Sequence, residues 1–347
     1  MVSQPEKTIP TDQNLSVTPT QKKQKSAWFY HEFSDRPVGI VVSDFDQDGN
    51  NEMAVAFKHA LLITRVVEGQ LLKVAEVDVP ARISILSLGA MDLNQNGNDE
   101  LYLTAVDGTQ LSSFSLEYNG SDYLVTNEQI RWYLKVSEGL TGEKVLVGQF
   151  QGLEQDAFAG RPFRVLERDG QLVKGPVLNL PGQLDLYSFM PSSEGTGTFY
   201  AHLTESESLQ VIDDSGTYLW ESGEYFGGSE SCYKNRPEHE GDMVVSTCLG
   251  PRILKNGRGE ILVVQNEAQR FLKQLRSYSP SRLVAFSWDG NAMQESWRTV
   301  SQKGYLADFA IGDADNDGMK EIVTLVKMRR SGFFEKDRTA IISYRLQ

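Results

Sequence analysis

Three stretches of this chain set oxygen-bearing side chains at alternate positions of a short segment that turns on a glycine. The first is D-F-D-Q-D-G-N-N-E, with Asp44, Asp46, Asp48, Asn50 and Glu52. The second is D-L-N-Q-N-G-N-D-E, with Asp92, Asn94, Asn96, Asn98 and Glu100. The third is D-A-D-N-D-G-M-K-E, with Asp313, Asp315, Asp317, Met319 and Glu321. Carboxylates spaced in this way converge when the backbone curls, and glycine at the sixth position takes the bend that other residues resist. Convergent carboxylates are hard ligands, which select calcium over zinc or iron. Two to three Ca2+ ions are therefore expected. The Asp92 loop has Asn94 and Asn96 where its counterparts have acids, so it is expected to be the weakest of the three.

Other chemistry is poorly represented. His31, His59, His202 and His239 lie far apart in sequence, without the spacing of a zinc site. No G-x-S-x-G elbow occurs. Cys232 and Cys248 are the only cysteines. They read either as one disulfide in an oxidising compartment or as two unpaired core thiols.

The acidic loops must be positioned by strands. Each is followed by a short apolar run, and the first is also preceded by one, at residues 40–43. Further strand-like runs at 60–66 and 71–77 make a four-stranded unit. Decayed copies of the loop are read at 148–156, 190–198 and 252–260, where Asn256, Gly257 and Glu260 survive. Trp28, Trp132 and Trp297 recur at a fixed distance before a loop and read as outer-strand core residues. Six such units predict an all-β, six-bladed β-propeller over 26–347. The last unit lacks one strand, which residues 27–33 would supply and so close the ring. Residues 1–25 are polar and read as a flexible tail or linker.

The D-x-D-x-D-G-x-x-E loop within a strand–loop–strand unit resembles the FG-GAP/VCBS repeat family, which includes the integrin α-subunit propellers and many bacterial surface and secreted proteins. The resemblance implies side-chain ligation by Asp44, Asp46, Asp48 and Glu52 with the Asn50 carbonyl between. It implies the same for Asp92, Asn94, Asn96 and Glu100 with the Asn98 carbonyl, and for Asp313, Asp315, Asp317 and Glu321 with the Met319 carbonyl. It also makes seven blades the alternative count. The metal role it implies is structural. The chain is then expected to be a non-enzymatic binding or scaffold module, with a polysaccharide lyase or hydrolase domain as the alternative.

The net charge of −13 argues against nucleic acid as a partner. No apolar run is long enough for a transmembrane helix. Two segments are longer than a propeller turn needs, 265–281 and 328–338. They carry Arg270, Phe271, Lys273 and Arg276 in one, and Arg329, Arg330, Phe333 and Phe334 in the other. A basic and aromatic cluster on an acidic chain points to a protein or an anionic polysaccharide as the partner. The expected location is extracytoplasmic (periplasmic, cell surface or secreted) if a signal or upstream region precedes Met1, and cytoplasmic otherwise.

Overall fold

A computed structural model describes residues 23–25, 29–139, 142–154, 156–194, 197–237, 239, 241, 244–268, 277–328 and 338–346. Six antiparallel sheets follow one another along the chain as the blades of a propeller. Blade 1 comprises Pro37–Ser43, Glu52–Phe57, Ala60–Val67 and Gln70–Asp78. Blade 2 comprises Ile83–Met91, Glu100–Asp107, Ser113–Tyr118 and Tyr123–Ile130. Blade 3 comprises Trp132–Glu138, Lys144–Gln151, Phe158–Arg168 and Gln171–Val177. Blade 4 comprises Phe189–Glu194, Gly197–Leu203, Ser208–Asp213 and Tyr218–Tyr225. Blade 5 comprises Leu254–Lys255, Ile261–Ala268, Tyr278–Trp288 and Met293–Thr299, with Lys23–Lys25 added parallel on its outer edge. Blade 6 comprises Gly304–Gly312, Glu321–Met328 and Arg338–Arg345, completed by Phe29–Phe33.

The burial pattern explains the order of strands. The second strand of blade 1, Glu52–Phe57, is buried along its whole length, whereas the fourth, Gln70–Asp78, has no fully buried residue. Strands sandwiched between neighbouring blades must be apolar on both faces, and outer strands need not be. Apolar clusters join blade 1 to blade 2, blade 5 to blade 6 and blade 6 back to blade 1. The first strands of successive blades meet closely around the axis. A Cβ on Gly89 would lie 2.8 Å from the Val136 side chain, and one on Gly312 would lie 2.7 Å from Val42. Glycine at these positions lets the inner strands converge.

The chain closes on itself as the missing strand requires. Phe29 pairs with Ser343 and Phe33 with Thr339. Trp28 lies outside the described residues. Details of the sequence reading change. Residues 190–194, read within a decayed loop at 190–198, belong to the first strand of blade 4 and pair with the second. Trp132 opens the innermost strand of blade 3, paired with Phe150, so it does not match the outer-strand Trp297. The first strand of blade 3 ends at Glu138 and the second begins at Lys144, and between them Gly139 N–H donates to the Glu143 carbonyl at 2.8 Å. Residues 148–151 therefore fall in the second strand, so 148–156 is not a decayed copy of the loop between the first two strands. At 252–260 the expectation fits: residues 256–260 connect the first two strands of blade 5.

One insertion departs from the repeat. Between blades 4 and 5 the chain forms a hairpin of Cys232–Lys234 and Ser246–Cys248, in which Cys232 and Cys248 are directly opposed and disulfide-bonded. The hairpin crosses the axis to the far side of the ring. Tyr233 and Leu249 join an apolar cluster with Leu86, Tyr133 and Val147 of blades 2 and 3. Buried Asn235 accepts from the Gln151 amide at 2.8 Å and donates to the carbonyls of Glu154 (3.1 Å) and Asp156 (2.9 Å). The Ser231 hydroxyl donates to the Leu86 carbonyl at 2.7 Å.

Candidate metal centre

All three acidic loops join the first and second strands of their blades, so they share one face of the ring. Their backbones agree residue by residue. The fourth position is left-handed in each, with φ of 57° at Gln47, 62° at Gln95 and 60° at Asn316. The sixth-position glycines Gly49, Gly97 and Gly318 have φ of 89°, 96° and 86°. The first Asp fixes the curl by accepting from two backbone N–H groups. Asp44 accepts from Asp48 (3.2 Å) and Gly49 (2.9 Å), Asp92 from Asn96 (3.1 Å) and Gly97 (2.9 Å), and Asp313 from Asp317 (3.0 Å) and Gly318 (2.9 Å). The closing Glu accepts from the second position: Glu52 from Phe45 N–H (3.0 Å), Glu100 from Leu93 (2.7 Å) and Glu321 from Ala314 (2.9 Å).

The loops also brace one another. Asn51 donates its backbone N–H to Asn316 Oδ1 at 2.6 Å and its amide to the Asp313 carbonyl at 2.9 Å. The Gln47 amide reaches the Asn96 carbonyl at 3.3 Å. Ser43 donates to Asp99 in the second loop at 2.7 Å. The loops of blades 6, 1 and 2 thus form one continuous arc.

The residue on the third strand opposite the closing Glu distinguishes the three, and the sequence reading missed it. In blade 1 it is Arg65. Its guanidinium donates to Glu52 Oε1 at 2.7 Å and to Asp48 Oδ2 at 2.6 Å, and contacts Asp46 at 3.2 Å. In blade 6 it is Arg345, paired in register with Glu321 and 3.7 Å from Asp317. In blade 2 it is Glu117, which accepts from the amides of Asn94 (3.3 Å) and Asn96. The loops rich in Asp thus face an arginine, and the loop rich in Asn faces a glutamate. Glu117 brings the second loop's carboxylates to Asp92, Glu100 and Glu117, which narrows the charge gap expected between the sites.

Burial pushes the carboxyls of Glu52, Glu100 and Glu321 up to about 7, opposed by the hydrogen bonds each accepts. In the third loop, carboxylate oxygens of Asp313, Asp315 and Glu321 lie within 4.8 Å of one another. Glu321 is fully buried, and its Oε1 has no hydrogen-bond partner. In the first loop the equivalent oxygen, Glu52 Oε1, is bound by Arg65, and the converging group is Asp44, Asp46 and Asp48. An all-oxygen cluster with an unsatisfied buried carboxylate oxygen fits a hard divalent cation. The relic loop of blade 5 shows a substitute for one. Its Glu260 carboxylate takes hydrogen bonds from the Asn256 amide (2.7 Å) and the Trp297 indole N–H (3.0 Å).

The candidate partner residues Arg270, Phe271, Lys273, Arg276, Arg329, Arg330, Phe333 and Phe334 lie outside the described residues. The strands that bracket them, ending at Ala268 and Met328, run toward the face opposite the acidic loops. Among the described residues, no helix is long and apolar enough to cross a membrane.

No family model matches the chain, and no curated protein matches it. Solved structures similar to it include BBS1N in complex with ARL6DN, at 10% identity over 94% of this chain and 98% of that one, with a TM-score of 0.42. A calcium-binding protein, regucalcin, from Agrobacterium tumefaciens is 11% identical over 93% and 96% of the two chains, with a TM-score of 0.45. The soluble aldose sugar dehydrogenase of Escherichia coli is 13% identical over 91% and 100%, with a TM-score of 0.42.

Proposed function

We propose that this chain is a calcium-stabilised propeller of the FG-GAP/VCBS type that serves as a binding module for a protein or an anionic polysaccharide. The observation that carries the metal reading is the buried, unpartnered Glu321 Oε1 beside Asp313 and Asp315. Leaving such an oxygen unsatisfied costs about 1–3 kcal/mol, and a cation would remove that cost. Asp313, Asp315, Asp317 and Glu321, with the Met319 carbonyl, would hold it. Asp44, Asp46, Asp48 and Glu52, and Asp92, Asn94, Asn96 and Glu100, are the corresponding sets. A bound ion supplies positive charge that cancels carboxylate repulsion and clips the first two strands of a blade together. The protein's own residues do the rest: the first Asp holds the curl, and the interlocked Asn51 and Asn316 carry rigidity from blade to blade.

The disulfide between Cys232 and Cys248 supports an extracytoplasmic location, where such bonds persist and calcium is plentiful. The test compares melting with calcium and with chelator for the parent and Glu321→Gln. Calcium should raise the parent's Tm by several degrees, and the variant should lose much of that gain. An equal Tm with and without calcium in the parent would overturn the reading.

A further inference from the structure

The hairpin between blades 4 and 5 turns the propeller channel into a cup. Ser229, Ser231 and Leu249 cover its floor on the face away from the acidic loops. The opposite end reaches Lys144, Lys255 and Lys320 beside those loops. The cavity volume is about 630 Å3, the size of pockets that hold small organic molecules.

We propose that this cup binds a small organic anion, drawn in by Lys144, Lys255 and Lys320 at the mouth and met at depth by Lys135. The charges argue for an anion in spite of the chain's overall −13. Among the cavity's charged residues, Arg252 and Asp308 cancel in a pair at 2.6 Å, and Arg252 also donates to the Leu88 carbonyl. Asp313 is engaged by its own loop. Lys144 is held by Asp99 at 3.1 Å but stays half exposed. Glu138 then stands as one carboxylate in the field of Lys144, Lys255 and Lys320. With Lys144 paired to Asp99 and Asp313 committed to the proposed calcium, Lys255 and Lys320 stand against Glu138 alone, a surplus of one positive charge over a low-dielectric wall, which concentrates anions.

Lys135 is the deep group. It projects from the middle of the blade 3 inner strand, is nearly fully buried, and lines the cavity. Its Nζ donates to the Phe189 carbonyl at 3.2 Å and lies 4.1 Å from the centre of the Phe189 ring. An ammonium has three donors, and one such bond leaves it under-satisfied. Burial pushes Lys135 down to about 7; the Asp185 charge opposes this and Arg252 adds to it. An anion entering the cup would supply the missing acceptor, and the apolar walls at Leu134, Val136 and Met190 would pack its body.

Pyridoxal 5′-phosphate tests this in the intact protein with calcium present, because it joins a phosphate anion to an aldehyde. The Lys135 amine adds to the aldehyde carbon and the aldehyde oxygen leaves as water, giving a C=N bond. Hydride from added borohydride, with a proton from solvent, reduces that bond to a stable secondary amine. Peptide mapping should find Lys135 labelled well ahead of exposed lysines such as Lys73. Pyridoxine 5′-phosphate, which carries the phosphate but no aldehyde, should protect it, and a Lys255→Glu variant with unchanged Tm should label several-fold more slowly. Labelling of exposed lysines with Lys135 unmodified would overturn the proposal. So would labelling of Lys135 that neither pyridoxine 5′-phosphate nor the Lys255 reversal alters.

Discussion

Arg65 and Arg345 occupy equivalent places on their third strands; Arg65 donates to its loop's closing glutamate at 2.7 Å, and Arg345 lies 3.7 Å from Asp317 of its loop. Arg65 acts as a resident cation for the first loop. Arg65→Met should therefore lower stability in chelator by about 3 kcal/mol, since it strands Glu52 beside Asp46 and Asp48. It should also enlarge the gain on adding calcium, because nothing then competes for Glu52 Oε1. Chemical denaturation with and without calcium checks both. An unchanged chelator-state midpoint would show that the guanidinium contributes nothing. Lys135 gives a second prediction at this scale. Its folded-state value, about 7, lies below the ordinary 10.5, so between these values the unfolded chain binds more protons. Stability from this group therefore rises as pH climbs from about 7 toward 10.5, and the buried ammonium is a burden below 7. Lys135→Met should flatten that rise in urea midpoints measured at pH 7, 8.5 and 10; an identical slope in both proteins would contradict it. The loop residues were legible because their pattern is local and set by spacing. Arg65 and Glu117 were not, because cross-strand register places them, and the turns between strands differ in length from blade to blade.

The hairpin between blades 4 and 5 left one trace in the sequence reading above, the pair Cys232 and Cys248, whose state stayed open. Its path across the axis depends on Asn235, Tyr233 and Leu249 finding partners far away in sequence, which no periodicity announces. Opening its disulfide with Cys232→Ser/Cys248→Ser removes a link across 16 residues and should cost about 3 kcal/mol. Limited proteolysis should then cut first within the hairpin, between its two short strands. A variant as stable and as resistant as the parent would mean that the apolar contacts of Tyr233 and Leu249 suffice. Blade 3 shows why the spacing of a tryptophan does not identify its strand. With no acidic loop to mark it, Trp132 suggested an outer strand, whereas its ring packs edge-on to Phe163 within its own blade, at 5.2 Å. Aromatic anchors serve more than one strand of a blade, so a recurring Trp does not fix register.

At the scale of the whole molecule, the count of six blades and the closure by an N-terminal strand were both readable, because the last unit visibly lacks a strand. Phe29–Phe33 covers the edge of Arg338–Arg345, and the Phe33 ring meets Phe57 of blade 1 at 5.5 Å. A chain beginning at residue 35 should lose about 3–5 kcal/mol and self-associate through the bared edge. Calorimetry and size-exclusion chromatography would read this, and a monomer of unchanged Tm would refute shared closure. The acidic arc ties blades 6, 1 and 2 together, so the metal and the ring stand or fall as one account. The most direct test is a crystal grown with calcium and measured at a wavelength where calcium scatters anomalously. The account predicts an anomalous peak among Asp313, Asp315 and Glu321, with Glu321 Oε1 in its coordination shell. A difference map free of peaks at all three loops, at millimolar calcium, would contradict it.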